Sequence, residues 1–98
     1  MAHLLNRMNG PDYQAALQRL ALNPGDRVLE LGFGGGIGLA GLLERGANVT
    51  GVEPSLELRA RALRRFSWPV ARGVLTIVDG CAEALPDGPF DHALSLNT

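Results

Sequence analysis

Two carboxylates and a run of glycines are the residues best placed to do chemistry. Glu30 sits inside the apolar segment Val28-Leu29-Glu30-Leu31, two residues before Gly32. A carboxylate removed from water is costly unless something polar meets it. That partner is either a ligand or the N–H groups of the turn that follows. The turn contains Gly32, Gly34, Gly35 and Gly36. Glycines directly after a strand let the backbone bend sharply and let a ligand approach with no Cβ in the way. The helix behind such a turn adds free N–H groups and a partial positive charge. Glu53 ends the next apolar segment, Asn48-Val49-Thr50-Gly51-Val52-Glu53. A carboxylate there can accept two hydrogen bonds from ribose hydroxyls; otherwise it is a surface acid at a strand end. The combination points to a nucleotide-type ligand.

The elements that position these residues follow from spacing. Tyr13, Ala16, Leu17 and Leu20 predict a helix over 12–22, closed by Asn23-Pro24-Gly25-Asp26. Residues 27–31 read as a strand, 37–45 as a helix capped by Gly46, and 48–53 as a second strand. Ser55 is a good N-cap for a helix to about Phe66, with Leu56, Ala60 and Leu63 on its apolar face and the arginines of 59–65 in solvent. Val74-Leu75-Thr76-Ile77-Val78 has the continuous apolar character of a strand covered on both faces. A turn-rich connection over 79–89, with Trp68-Pro69 before it as a loop anchor, leads to a fourth strand over 90–96. Alternation of this kind predicts an α/β protein: a Rossmann-like parallel sheet with helices on both faces.

Composition narrows the function classes. The 98 residues hold 46% hydrophobic and 19% charged residues, the balance of one globular domain. Nine basic residues, all Arg, face ten acids, for a net charge of -1. That balance argues against a non-specific nucleic-acid binder. The longest uncharged stretch, 31–43, is too short and too glycine-rich to span a membrane. Cys81 is the only cysteine and cannot by itself build a disulfide or a zinc site. A cytoplasmic protein without a metal is expected. Cys81 and His92 read as structural residues, and residues 1–11 as a flexible tail.

Two nucleotide ligands compete for the loop. A dinucleotide site wants Gly-x-Gly-x-x-Gly at the strand end, but the sixth position from Gly32 is Ile37 and from Gly34 is Leu39. The formal match, Gly36-Ile37-Gly38-Leu39-Ala40-Gly41, starts four residues late. Its Gly38 and Gly41 fall inside the helix, where they permit close packing on the sheet. An oxidoreductase reading is therefore weak. By contrast, Val28-Leu29-Glu30-Leu31-Gly32-Phe33-Gly34-Gly35-Gly36 resembles the first motif of the class I S-adenosylmethionine-dependent methyltransferases, acid-x-Gly-x-Gly-x-Gly. Three further segments agree in order: Asn23-Pro24-Gly25-Asp26, Gly51-Val52-Glu53-Pro54-Ser55, and Ala82-Glu83-Ala84-Leu85-Pro86 with Phe90-Asp91. The last resembles the small-molecule and lipid branch.

The resemblance implies S-adenosyl-L-methionine as cofactor and a small-molecule or lipid methyl acceptor, with no nucleic-acid partner. By it, Glu30 holds the methionine end, and Gly32, Phe33, Gly34 and Gly36 line the loop beside it. Glu53, with Pro54 next to it, takes the ribose hydroxyls, and Asp79-Gly80-Cys81-Ala82 flanks the adenine. The acid usual in that last segment falls at Cys81, so Asp79 is the candidate substitute. No catalytic base can be named. The family fold has seven strands in the order 3-2-1-4-5-7-6, so the chain is expected to be the cofactor-binding part, truncated after the fourth strand. A bare edge on that strand would invite self-association. A binding module without catalysis carries the same residues.

Overall fold

The computed structural model of the chain describes residues 4–6, 10–80 and 86–95. Five parallel strands, β1 (Leu4–Asn6), β2 (Arg27–Leu31), β3 (Asn48–Val52), β4 (Leu75–Val78) and β5 (His92–Ser95), form one sheet in the order β1-β5-β2-β3-β4. Four helices connect or flank them: α1 (Gly10–Arg19), α2 (Ile37–Glu44), α3 (Leu56–Arg65) and the short α4 (Ser67–Ala71). The Rossmann-like α/β class expected from the alternation is the one found. Arg27 pairs with Asn48 and Leu31 with Val52, while Val49 pairs with Leu75 and Val52 with Val78. This register brings the C-terminal ends of β2, β3 and β4 side by side. On the other side of β2 lies β5, with Glu30 opposite Leu94. The sheet therefore changes direction between β2 and β5, where ligands bind in open α/β sheets.

Local signals explain most elements. Val28 and Leu29 are buried in β2, and Val49 and Val52 in β3. Ser55 caps α3 by accepting from the Leu58 N–H at 3.2 Å. Gly46, with φ of 81°, turns the chain out of α2, its N–H donating to the Leu43 carbonyl at 3.0 Å. Helix α1 buries Tyr13, Ala16 and Leu17 on one face.

Several expectations need correction. The segment read as a flexible tail contributes β1, which pairs Leu4 with Ala93 and Asn6 with Ser95. The edge of the fourth strand, expected to be bare and to drive self-association, is thus covered by the chain's own N-terminal segment. On α3 the buried line is Ala62 followed by Phe66, four residues on, whereas Leu56 and Leu63 of the expected apolar face are exposed. Trp68 belongs to α4 and is 70% exposed, with the Arg72 guanidinium 5.8 Å from its ring centre. Pro69 is tolerated because the first turn of a helix needs no N–H donor there. Strand β4 is an edge strand, so Leu75 is buried but Thr76 is open to solvent. Finally, Gly38 and Gly41 admit α1 rather than only the sheet: a Cβ on Gly41 would lie 2.6 Å from Leu17 Cδ1, and one on Gly38 would overlap the Tyr13 hydroxyl.

Candidate functional site

The loop after β2 is built by glycines in left-handed conformations: φ is 64° at Gly32, 55° at Gly34 and 92° at Gly36. Side chains with a Cβ rarely adopt these angles, so the turn needs glycine at each. The Gly32 N–H donates to the Val52 carbonyl at 2.7 Å, which ties the start of the loop to β3. The Gly36 N–H donates to the Phe33 carbonyl at 3.0 Å, and α2 then begins. Phe33 turns its side chain fully into the core, so only its backbone faces the loop.

Glu53 follows β3 directly and is 6% exposed. Its Oε1 accepts from the Gly34 N–H at 2.9 Å and its Oε2 from the Ser55 N–H at 3.1 Å. Two backbone amides thus fix the carboxylate at the mouth of the glycine loop. A carboxylate oxygen has more than one acceptor site, so both oxygens can still take hydroxyl donors. The loop amide considered as a structural partner for Glu30 is bonded to Glu53.

Glu30 is fully buried. The Tyr13 hydroxyl donates to its Oε2, and Oε1 has no hydrogen-bond partner among the described residues. Burial pushes the Glu30 carboxyl up to about 7; the bond from Tyr13 pulls it down and the nearby charge of Glu53 raises it again. Burial, reinforced by the Glu30 charge, drives the Tyr13 hydroxyl far above its usual range, so it remains a donor. Sequence reading placed Tyr13 on an apolar face and missed this role. The available signal was one hydroxyl on an Ala/Leu helix face and one carboxylate in an apolar strand, each needing a polar partner.

A third corner forms at the end of β4. Arg59 Nη1 donates to the Glu53 carbonyl at 2.8 Å, the Pro54 carbonyl at 2.9 Å and Asp79 Oδ1 at 2.9 Å. Arg59 was read as part of a solvated helix face; instead it staples the turn after β3 to the residue after β4. Asp79 is 73% exposed, and Gly80 follows it half-buried. Cys81 and Ala82 lie outside the described residues. Arg65 packs over the Phe66 ring, 4.8 Å from its centre, and donates to the Gly35 carbonyl at 3.3 Å. Between the glycine loop and α3 runs a cleft lined by Gly34, Gly35, Leu58, Ala62 and Phe66, with Arg61 and Arg65. His92 is buried, 3.5 Å from Asp26, at the opposite end of the strands from the loop.

Comparison with known proteins agrees with this geometry. The methyltransferase domain family matches residues 29–98, and the chain belongs to it. A probable ribosomal RNA small subunit methyltransferase A of Methanospirillum hungatei is 46% identical over 68 residues, covering 69% of this chain and 27% of that protein. An uncharacterized methyltransferase of Synechocystis is 40% identical over 81 residues, covering 81% of this chain and 35% of its own length. Among solved structures, a SAM-dependent methyltransferase of Thiobacillus denitrificans in complex with S-adenosyl-L-homocysteine superposes with a TM-score of 0.74 at 29% identity. The match covers 92% of this chain and 38% of that one. The chain therefore spans about a third of the length of these relatives. Among the described residues, no helix is long and apolar enough to cross a membrane.

Proposed function

We propose that the chain binds S-adenosyl-L-methionine at the C-terminal ends of β2, β3 and β4 and serves as the cofactor-binding part of a methyltransferase. The observation that carries this reading is the pair of buried acids beside the glycine loop, one with an unpartnered oxygen and one fixed by two amides. The cofactor carries a sulfonium and an ammonium and no phosphate, so its natural counterparts are carboxylates. These residues fit it.

In this assignment Glu30 Oε1 receives the ammonium of the methionine end. Glu53 accepts the two ribose hydroxyls, with Pro54 beside it, and the backbone of Gly32, Phe33, Gly34 and Gly36 lines the channel between them. Asp79 and Gly80, followed by Cys81 and Ala82, flank the adenine, held in place by Arg59. Bound cofactor would supply a methyl group activated by the sulfonium for displacement by a nucleophile of the acceptor. The contribution of this chain to the rate is to hold the methyl group in line for that displacement.

The resemblance of Ala82-Glu83-Ala84-Leu85-Pro86 and Phe90-Asp91 to the small-molecule and lipid branch supports an acceptor of that kind, and the net charge of -1 argues against non-specific nucleic-acid binding. The relative named for ribosomal RNA methylation favours RNA as a second reading. Calorimetric titration with S-adenosylhomocysteine, with NAD as control, tests the cofactor assignment. Binding of the first alone, lost in Glu53→Ala, is the expected result. Failure of a folded chain to bind it, or equal binding of NAD, sinks the assignment. Transfer assays with labelled cofactor on RNA and on lipid extracts then separate the two acceptor classes.

A further inference from the structure

Glu30 and Tyr13 are each other's polar partner in the interior, with exposures of 0% and 2%. Their contact exists because position 38 is glycine; any Cβ there would overlap the hydroxyl and lie 2.5 Å from Glu30 Oε2. The arrangement leaves Glu30 half satisfied. Its Oε1 is buried with no donor among the described residues, so a charge there is costly until a proton removes it or a cation or further donor meets it. The groups around it are few. Among the described residues, helix α1 presents Tyr13, the end of β3 presents Glu53, and α2 presents Gly38. The residues paired with Glu30 in the sheet are Gly51 and Leu94. No cationic side chain among the described residues bonds Glu30.

We propose that Tyr13 is a positioning residue of the cofactor site and that ligand entry exchanges a proton for the ligand's ammonium at Glu30. Tyr13 holds Oε2 throughout. In the free chain Oε1 carries the proton; when the ammonium arrives, the O–H bond breaks, the proton leaves to solvent, and carboxylate pairs with ammonium. This rests on the cofactor reading above and adds a proton linkage to it. The balance that burial and Glu53 strike against the Tyr13 bond places the exchange near neutral pH.

The linkage has a definite sign. Protons compete with ligand, so affinity is at its plateau above about pH 8 and falls as the medium is acidified. Around pH 6 the Kd is expected to be about tenfold above its plateau value, given one competing proton. Removing the Tyr13 hydroxyl removes a bond that favours the charged form, so the transition in Tyr13→Phe moves to higher pH.

Two measurements test this. The first is carbon-13 NMR titration of the glutamate carboxyls in the free chain, with Glu30 assigned by its disappearance in Glu30→Gln. A resonance titrating near pH 7 that moves upward in Tyr13→Phe is expected. Titration of Glu30 in the ordinary range around 4.5, or no movement in Tyr13→Phe, overturns the proposal. The second is calorimetry with S-adenosylhomocysteine in buffers of different ionisation heat. About half a proton released per ligand at pH 7, and none in Glu30→Gln, is the expected result. Ligand binding with no proton release and a flat pH profile overturns the linkage while leaving the cofactor reading intact. Absence of binding at every pH overturns that reading and the linkage with it, whatever the NMR titration reports.

Discussion

Glu30 and Glu53 stand at the ends of neighbouring strands and carry the same functional group, yet the fold treats them in opposite ways. Glu53 is met by two backbone N–H groups, from the loop it helps to shape and from the turn it leads into. Those donors are fixed by the chain's own turns. Glu30 is met by one side-chain hydroxyl from a helix distant in sequence, and half of it is bare. Amide donors make one end of the site a finished carboxylate receptor. Burial with a single donor makes a charge on Glu30 costly, and on the proposed reading the ligand's ammonium offsets that cost. A binding site can thus hold one acid ready at no cost to stability while its neighbour is strained by desolvation.

The largest effect is expected from Glu53→Ala. It removes the acceptor for two amides and, on the proposed reading, the acceptor for two ribose hydroxyls. Affinity for S-adenosylhomocysteine should fall on the order of 100-fold or more, with a drop in stability in the same variant, measured by calorimetry and urea unfolding. An unchanged affinity would break the comparison at its firmer end.

Glu30→Gln should act in the opposite direction on stability. Between about pH 4.5 and pH 7 the folded chain keeps a proton that the unfolded chain gives up. Stability therefore falls as pH rises through this window and levels off above it. The full span is about 3 kcal/mol at most, at about 1.4 kcal/mol per pKa unit. Glu30→Gln should flatten the profile and be the more stable chain at pH 8 while binding ligand more weakly. Urea midpoints at pH 5 and pH 8 measure it; identical pH profiles for the two chains would show that Glu30 is not strained.

Gly38→Ala sharpens the comparison from the side of packing. The added methyl gains helix propensity but collides with the Tyr13–Glu30 contact, and a net loss of about 1–3 kcal/mol is expected. A Cβ on Gly35 meets nothing within 4 Å, so Gly35→Ala should leave the melting temperature within about 2–4 °C, as for surface changes of under 0.5 kcal/mol. The smallest effects belong to the third corner. Arg59→Ala loosens the turn carrying Glu53 and should weaken binding a few-fold. Asp79→Asn, at an exposed ion pair, should change stability by less than about 0.5 kcal/mol.

Much of this was legible in the residues. The order of strand, glycine loop and helix, the cap at Ser55 and the turn at Gly46 rest on signals within a few positions, and local sequence specifies local geometry; the acid ending β3 was legible by its place, although the Gly34 amide that holds it lies 19 positions away. The family resemblance drew on the same short segments. Tyr13 was legible as a buried helix residue but not as the partner of Glu30, because the spacing that buries a face does not say which strand it meets. Arg59 was indistinguishable from Arg61 or Arg64 on the same helix until the ends of β3 and β4 were brought beside it. The apolar face of α3 was misjudged for a related reason: Leu56 and Leu63 share one stripe, but the helix buries the other side, through Ala62 and Phe66.

By itself, then, the sequence determined the order and type of the described elements other than β1 and α4, the loop that only glycines can make, and the presence of two acids placed to meet partners. The tertiary structure decided what those partners are. Seventeen residues separate Tyr13 from Glu30 and twenty separate Arg59 from Asp79, and β1 reaches β5 from the far end of the chain. Contacts at such separations depend on which surfaces the packed sheet brings together. That is a property of the whole chain's burial, and no short segment encodes it.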